Sequence, residues 1–273
     1  MTAKGFVRGY LLAYNVASLM AWSYLFFLLL AKLTQGLKWQ TIVSPYVFYR
    51  LHYFKAFTVL REPLAFVQSA AILEILHSAL GLVRSPVLTT TAQVFSRLFL
   101  GVFVTYYLGP FALAIQQSPF FSSMLLAWSL AEMIRYGYYA DTLASEGSSE
   151  PSPYVLIWLR YSAFLVLYPM GVLSELVLAY KAIPVAGIQV GPWMPWVIYG
   201  IMALYVPGFV ILFGHMLKQR KKYLGSGLRV DTTAEKSTPK SSGRGRSATR
   251  KESAESTATP SRTSPRRRKK DEE

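Results

Sequence analysis

Tyr168 and Glu175, in an apolar stretch near the middle of the chain, are spaced for acid–base chemistry. Seven residues is two helical turns, about 10.5 Å of rise. Tyr161, Phe164 and Gly171 fall on the same helical stripe. The two groups face one cleft without touching. A Glu carboxylate and a Tyr hydroxyl in a site withdrawn from water form a general acid and base pair. Pro169 removes a backbone donor between them, which predicts a kink in this helix. No cation stands one turn from Glu175 in its own helix.

Other charges lie in equally apolar surroundings, where each costs about 2.5–3.5 kcal/mol at the centre of a span. Glu74 with His77, and Glu132 with Arg135, stand three apart and are helix-face neighbours. The plain readings are a core histidine and a structural ion pair. A lone Glu-x-x-His lacks the second copy and extra carboxylates of a di-iron bundle. With successive spans antiparallel, Arg84, Arg97, Arg135 and Arg160 all fall on one side of the membrane. Arginines there suit a phosphate-bearing head group, and an apolar interior suits an acyl chain. The substrate class is a long amphiphile with an anionic head, such as an acyl-CoA or a phospholipid.

These residues need a scaffold, and composition says which. The 273 residues are 52% hydrophobic and 15% aromatic with mean hydropathy +0.29, yet the net charge is +15. The two excesses occupy different stretches. From Lys218 to Glu273 there are 17 Lys/Arg and 7 Asp/Glu, and after Val230 the only hydrophobic residues are alanines. This segment reads as a disordered, basic cytosolic tail. Before it, six stretches match a 30 Å hydrocarbon core: Tyr10 to Ala31, Leu64 to Val83, Ala92 to Ile115, Pro119 to Ala140, Tyr154 to Tyr180 and Trp193 to Leu217. The expected fold is therefore all-α, a bundle of six transmembrane helices over residues 1–217 with a tail over 218–273. Between the first two spans, "SPYVFYRLHYFKAF" reads as interfacial. Lys4, Arg8 and the tail put both termini in the cytosol, although Lys32, Lys38, Arg50, Lys55 and Arg61 sit in a loop this topology makes lumenal.

Cysteine is absent, which excludes disulfides, thiolate metal sites and thiol nucleophiles. Three histidines are too few for a histidine-rich di-iron site. A non-enzymatic lipid carrier or scaffold stays open as an alternative, as does a phospholipid-modifying transferase. A carrier would place polar groups through the full depth of several spans, whereas these arginines keep to one side. The transferase would want an acidic metal-binding loop, which Asp141, Glu146 and Glu150 do not make by spacing.

The stretches "LEILHSALGLVRSPVLTTTAQVFSR" (Leu73 to Arg97), "WSLAEMIRYGYY" (Trp128 to Tyr139) and "LRYSAFLVLYPMGVLSE" (Leu159 to Glu175), preceded by "YLLAYNVASLMAW" from Tyr10, resemble the very-long-chain (3R)-3-hydroxyacyl-CoA dehydratase family. Its members are also called protein-tyrosine-phosphatase-like, a label without chemical content in a chain lacking cysteine. The resemblance runs from Tyr10 to Leu217. It implies an endoplasmic-reticulum enzyme of fatty-acid elongation that converts a 3-hydroxyacyl-CoA to the trans-2-enoyl-CoA. The family's Tyr-Pro-x-Gly-x-x-x-Glu motif falls on Tyr168, Pro169, Gly171 and Glu175. The implied catalytic residues are Tyr168 and Glu175, with either able to be acid or base. Arg84, Arg97, Arg135 and Arg160 would hold CoA phosphates or brace the cleft, and Gly171 would leave room for the chain. Elimination transfers no electrons, so no cofactor and no metal are expected. Expected partners are membrane lipids and the other elongation enzymes, a condensing enzyme and the 3-ketoacyl-CoA and enoyl-CoA reductases, with no nucleic acid.

Overall fold

The computed structural model describes residues 3–37, 45–83, 85–145 and 152–225, which are helical almost throughout. The helices are α1 (Ala3–Leu37), α2 (Pro45–Ala70), α3 (Ile72–Ala79), α4 (Val87–Leu98), α5 (Leu113–Gln116), α6 (Pro119–Ala144), α7 (Tyr154–Ser162), α8 (Phe164–Gln189) and α9 (Met194–Gly225). A ten-residue π-helix (Phe99–Leu108) and a 3-10 turn (Gly109–Phe111) join α4 to α5. Helix α6 is central, packed along α1 on one flank and α8 on another, with α9 outermost against α7 and α8.

Among the described residues, four stretches are long and apolar enough to cross a membrane: Lys4–Gln35, Val87–Phe111, Tyr154–Gln189 and Met194–Leu224. The two expected spans missing from this set each carry buried polar residues. The stretch from Leu64 to Val83 is not one helix, because the chain breaks at Ala71 between α2 and α3. It also carries the buried Gln68 and His77. Helix α6 has the length of a span, but Ser122, Ser129 and Glu132 dilute its hydropathy while pointing inward.

The described part of the aromatic and basic segment before Thr58 forms the first half of α2. Leu51 is exposed, whereas Ala56 and Phe57, with Leu60 and Leu64 further along the helix, are wholly buried in the core. Phe57 meets Phe121 of α6 edge to face, ring centres 5.0 Å apart. The helical run that holds Pro169 is interrupted once. Pro169 sits inside α8, and the interruption falls at Ala163, just before residue 165, whose carbonyl the proline ring crowds. Helix α9 continues past Leu217 to Gly225. Arg84 and the tail beyond Gly225 lie outside the described residues.

Local signals explain the helix ends. Ser118 caps α6 by accepting the Phe120 N–H at 3.3 Å, with Pro119 in the first turn. At the other end Arg8 of α1 donates to the carbonyls of Leu143 (2.8 Å) and Ala144 (3.1 Å), where a helix presents its negative pole. Helix α3 stops at Gly81, whose φ of 68° is left-handed, with the Leu82 N–H reaching back to His77 O at 2.9 Å.

Gly109 is required by close approach. A β-carbon there would lie 2.5 Å from Cζ of Phe57, in a core with no room to give. Gly109→Ala is expected to cost about 1–3 kcal/mol through overpacking. Gly137→Ala, with nothing within 4 Å of its added methyl, is the neutral control in an unfolding titration in mixed micelles.

Candidate active site

Helices α8 and α9 run side by side, and the stripe that starts at Tyr161 of α7 and continues along α8 faces α9. Tyr161 stacks on Tyr223 at 4.5 Å, Phe164 meets Phe213 edge-on at 5.6 Å, and Tyr168 stacks on Phe209 at 5.2 Å. The order of partners along α9 reverses, so the two helices are antiparallel. Glu175 continues the stripe and meets Tyr205.

The Glu175 carboxylate is held from both sides. Trp128 of α6 donates its indole N–H to Oε1 at 2.7 Å, and Tyr205 of α9 donates its hydroxyl to Oε2 at 2.8 Å. Both oxygens accept, as an ionised carboxylate does. The Tyr168 hydroxyl makes no hydrogen bond among the described residues, its ring lying flat against Phe209 and close to Phe213. One of the two groups is thus oriented by the protein, while the other has its polar atom uncommitted.

Small residues line this convergence. A β-carbon on Gly171 would stand 3.7 Å from Ala127 Cβ and 3.8 Å from Glu175 Oε1. Gly171 therefore lies on the seam where α6 and α8 approach closely. Ser123 and Ser174 hydrogen-bond across the same seam. In the π-helix, a β-carbon on Gly101 would meet Gln68 at 3.1 Å and the Trp128 ring at 3.6 Å. A π-helix within an α-helical span often accompanies a functional site. Here it presents a bare glycine backbone to the back of Trp128.

One turn along α6 from Trp128, Glu132 anchors a four-charge cluster. Its side chain is 1% exposed, and both Arg97 of α4 and Arg135 pair with it, Arg135 through Nε at 2.6 Å. Arg135 also forks onto Glu74 of α3, at 3.0 and 2.6 Å, and Glu74 accepts from Tyr136. Two guanidiniums against two carboxylates make the cluster neutral. Bidentate geometry of this kind is the strong form of such a pair. His77 accepts or donates at 2.8 Å with Tyr10 and packs edge-on to Tyr14.

The expected arginines thus divide. Arg97 and Arg135 spend their donors on buried glutamates, whereas Arg160, partly exposed on α7, lies over Tyr139 with a 3.3 Å hydrogen bond to its hydroxyl. Arg97 and Arg135 meet Glu132 at the middle of α6, whereas Arg160 reaches Tyr139 nearer its C-terminal end. Arg8 and Arg220, the latter bonded to Ser162 at 3.3 Å, join Arg160 there. Sequence reasoning missed Trp128 and Tyr205, which one-dimensional spacing cannot connect to Glu175. Trp128 carried one available signal: it stands four residues from Glu132 and so shares its face.

A family model described as "Protein tyrosine phosphatase-like protein, PTPLA" matches residues 68–226. The chain is 36% identical over 233 residues to the very-long-chain (3R)-3-hydroxyacyl-CoA dehydratase hpo-8 of Caenorhabditis elegans, covering 81% of this chain and 97% of that protein. It is 41% identical over 217 residues to a probable very-long-chain (3R)-3-hydroxyacyl-CoA dehydratase of Schizosaccharomyces pombe, covering 78% and 91%. The corresponding figure for PASTICCINO 2 of Arabidopsis thaliana, a dehydratase of the same name, is 36% over 189 residues, covering 65% and 82%. No solved structure matches the chain.

Removing the shared acceptor leaves two guanidiniums short of a partner. Glu132→Ala is expected to destabilise the fold by about 3–5 kcal/mol, as breaking a buried pair does. Arg160→Ala, at the rim, should cost under about 1 kcal/mol. Unfolding in mixed micelles measures both.

Proposed function

The chain belongs to the protein tyrosine phosphatase-like (PTPLA) family, and on that premise we propose that it is a hydro-lyase removing water from a very-long-chain (3R)-3-hydroxyacyl-CoA to give the trans-2-enoyl-CoA. The observation that carries the reading is the pairing on α8 of a carboxylate oriented by two donors with a tyrosine whose hydroxyl is uncommitted. Elimination asks for two such groups. Glu175 removes a proton from the carbon beside the thioester carbonyl, and Tyr168 protonates the departing 3-hydroxyl. The C–O bond breaks as the double bond forms, and water leaves. The proton taken by Glu175 returns to Tyr168 before the next cycle.

Arg160 and Arg84 are assigned to the CoA phosphates at the water-facing end. Arg97 and Arg135 brace the cleft through their glutamates, and Gly171 keeps α8 close to α6 beside Glu175. From Arg160 to Tyr168 is eight residues, about 12 Å along the helix, a span for the pantetheine arm between phosphates and thioester. A carrier or scaffold would leave the oriented carboxylate without a task.

The chain is assigned to the endoplasmic-reticulum membrane as a multi-pass protein. The two polar helical stretches complete six spans, with both termini cytosolic. The membrane unit extends to about Leu217, and the basic segment after Gly225 lies against anionic lipid. The other elongation enzymes act before and after it.

The purified full-length chain should convert 3-hydroxyacyl-CoA substrates to the enoyl products. Tyr168→Phe and Glu175→Gln should each lower turnover by about 10²–10⁴ with the protein still folded. Near-normal turnover in both variants sinks the site, and no water loss at any chain length sinks the reaction.

A further inference from the structure

Tyr205 has a polar group at a level of α9 that is otherwise apolar, in the run "GIMALYVPGFVILF" from Gly200 to Phe213. A hydroxyl at such depth is costly unless bonded. Tyr205 spends its proton on Glu175. The bond is not needed to attach α9, which the stacked pairs Tyr161–Tyr223 and Tyr168–Phe209 and the Phe164–Phe213 contact already join to α7 and α8. A phenylalanine would fill the same space.

Trp128 takes the opposite oxygen. It is 6% exposed, backed by Gly101 of the π-helix, and belongs to the helix whose rotation the four-charge cluster fixes. Donors on α6 and α9 therefore pin a carboxylate on α8, one bond to each oxygen. A carboxylate offers roughly four acceptor positions, so lone pairs remain for a substrate proton in a defined direction. Misplacing a reacting group by about 1 Å costs on the order of 10²-fold in rate.

Resting on the dehydratase reading, we propose that Trp128 and Tyr205 are positioning residues for Glu175: a two-sided clamp that aims the base and does not itself exchange protons with the substrate. The two tyrosines of the site then have distinct tasks. Tyr168, uncommitted, meets the leaving hydroxyl, and Tyr205, committed, aims the carboxylate.

The test compares wild type, Tyr205→Phe and Trp128→Phe as purified full-length proteins, using 3-hydroxyacyl-CoA with hydrogen or deuterium at C2. Tyr205→Phe should lower kcat about 30-fold and Trp128→Phe about tenfold, with KM within about twofold of wild type. The primary isotope effect on kcat should rise in both, because a misaimed base makes proton removal more limiting. A variant that merely loosens packing loses active enzyme but keeps the wild-type isotope effect. That result, or kcat within about threefold of wild type in both variants, overturns the clamp alone. A wild-type protein that turns over no substrate overturns the dehydratase reading and the clamp together.

Discussion

A carboxylate with 1% of its side chain exposed, halfway along a helix in an apolar bundle, has to be neutralised where it stands. Glu132 is that group, and the arrangement around it follows from the need. One arginine would leave its second oxygen short of donors, and two arginines without another acid would leave a net positive charge. Glu74 supplies that acid. Because its members come from α3, α4 and α6, the cluster fixes how α6 is rotated between its neighbours. Trp128, one turn away on the same face, is then directed towards α8. The ionic centre and the Glu175 carboxylate are parts of one construction, with α6 as the rigid member between them.

Much of this was legible in the chain because helical spacing is a strong signal in long apolar stretches. The stripe from Tyr161 to Glu175 could be read from positions alone, whereas its partner, α9, could not. The pairing of Glu132 with Arg135 followed from a three-residue separation. What could not be read is what crosses between helices. Arg97 with Glu132, Arg135 with Glu74, and both donors to Glu175 are contacts separated by 30 or more positions. Tyr205 is one of 18 tyrosines, and nothing local marks it.

Hydropathy along the chain and burial in the bundle diverge for a definite reason. Averages along the chain treat a serine facing lipid and a serine facing a neighbouring helix alike. In α6 and in the stretch across α2 and α3, Ser122, Ser129, Gln68 and His77 are turned inward. The helices central to the bundle therefore average less apolar, while outer α9 is apolar up to its basic end from Lys218. Pro169 lies inside α8, and the helical run is interrupted at Ala163, six residues before it.

The four-charge cluster also constrains how such a sequence can change over time. Glu132 answers to Arg97 and Arg135 at once, and Arg135 answers to two acids. Reversing any one charge cannot be repaired by reversing one partner, since that partner's other contact is then wrong. A charge reversal at one of these positions therefore has to be answered at more than one other before every contact is again between opposite charges.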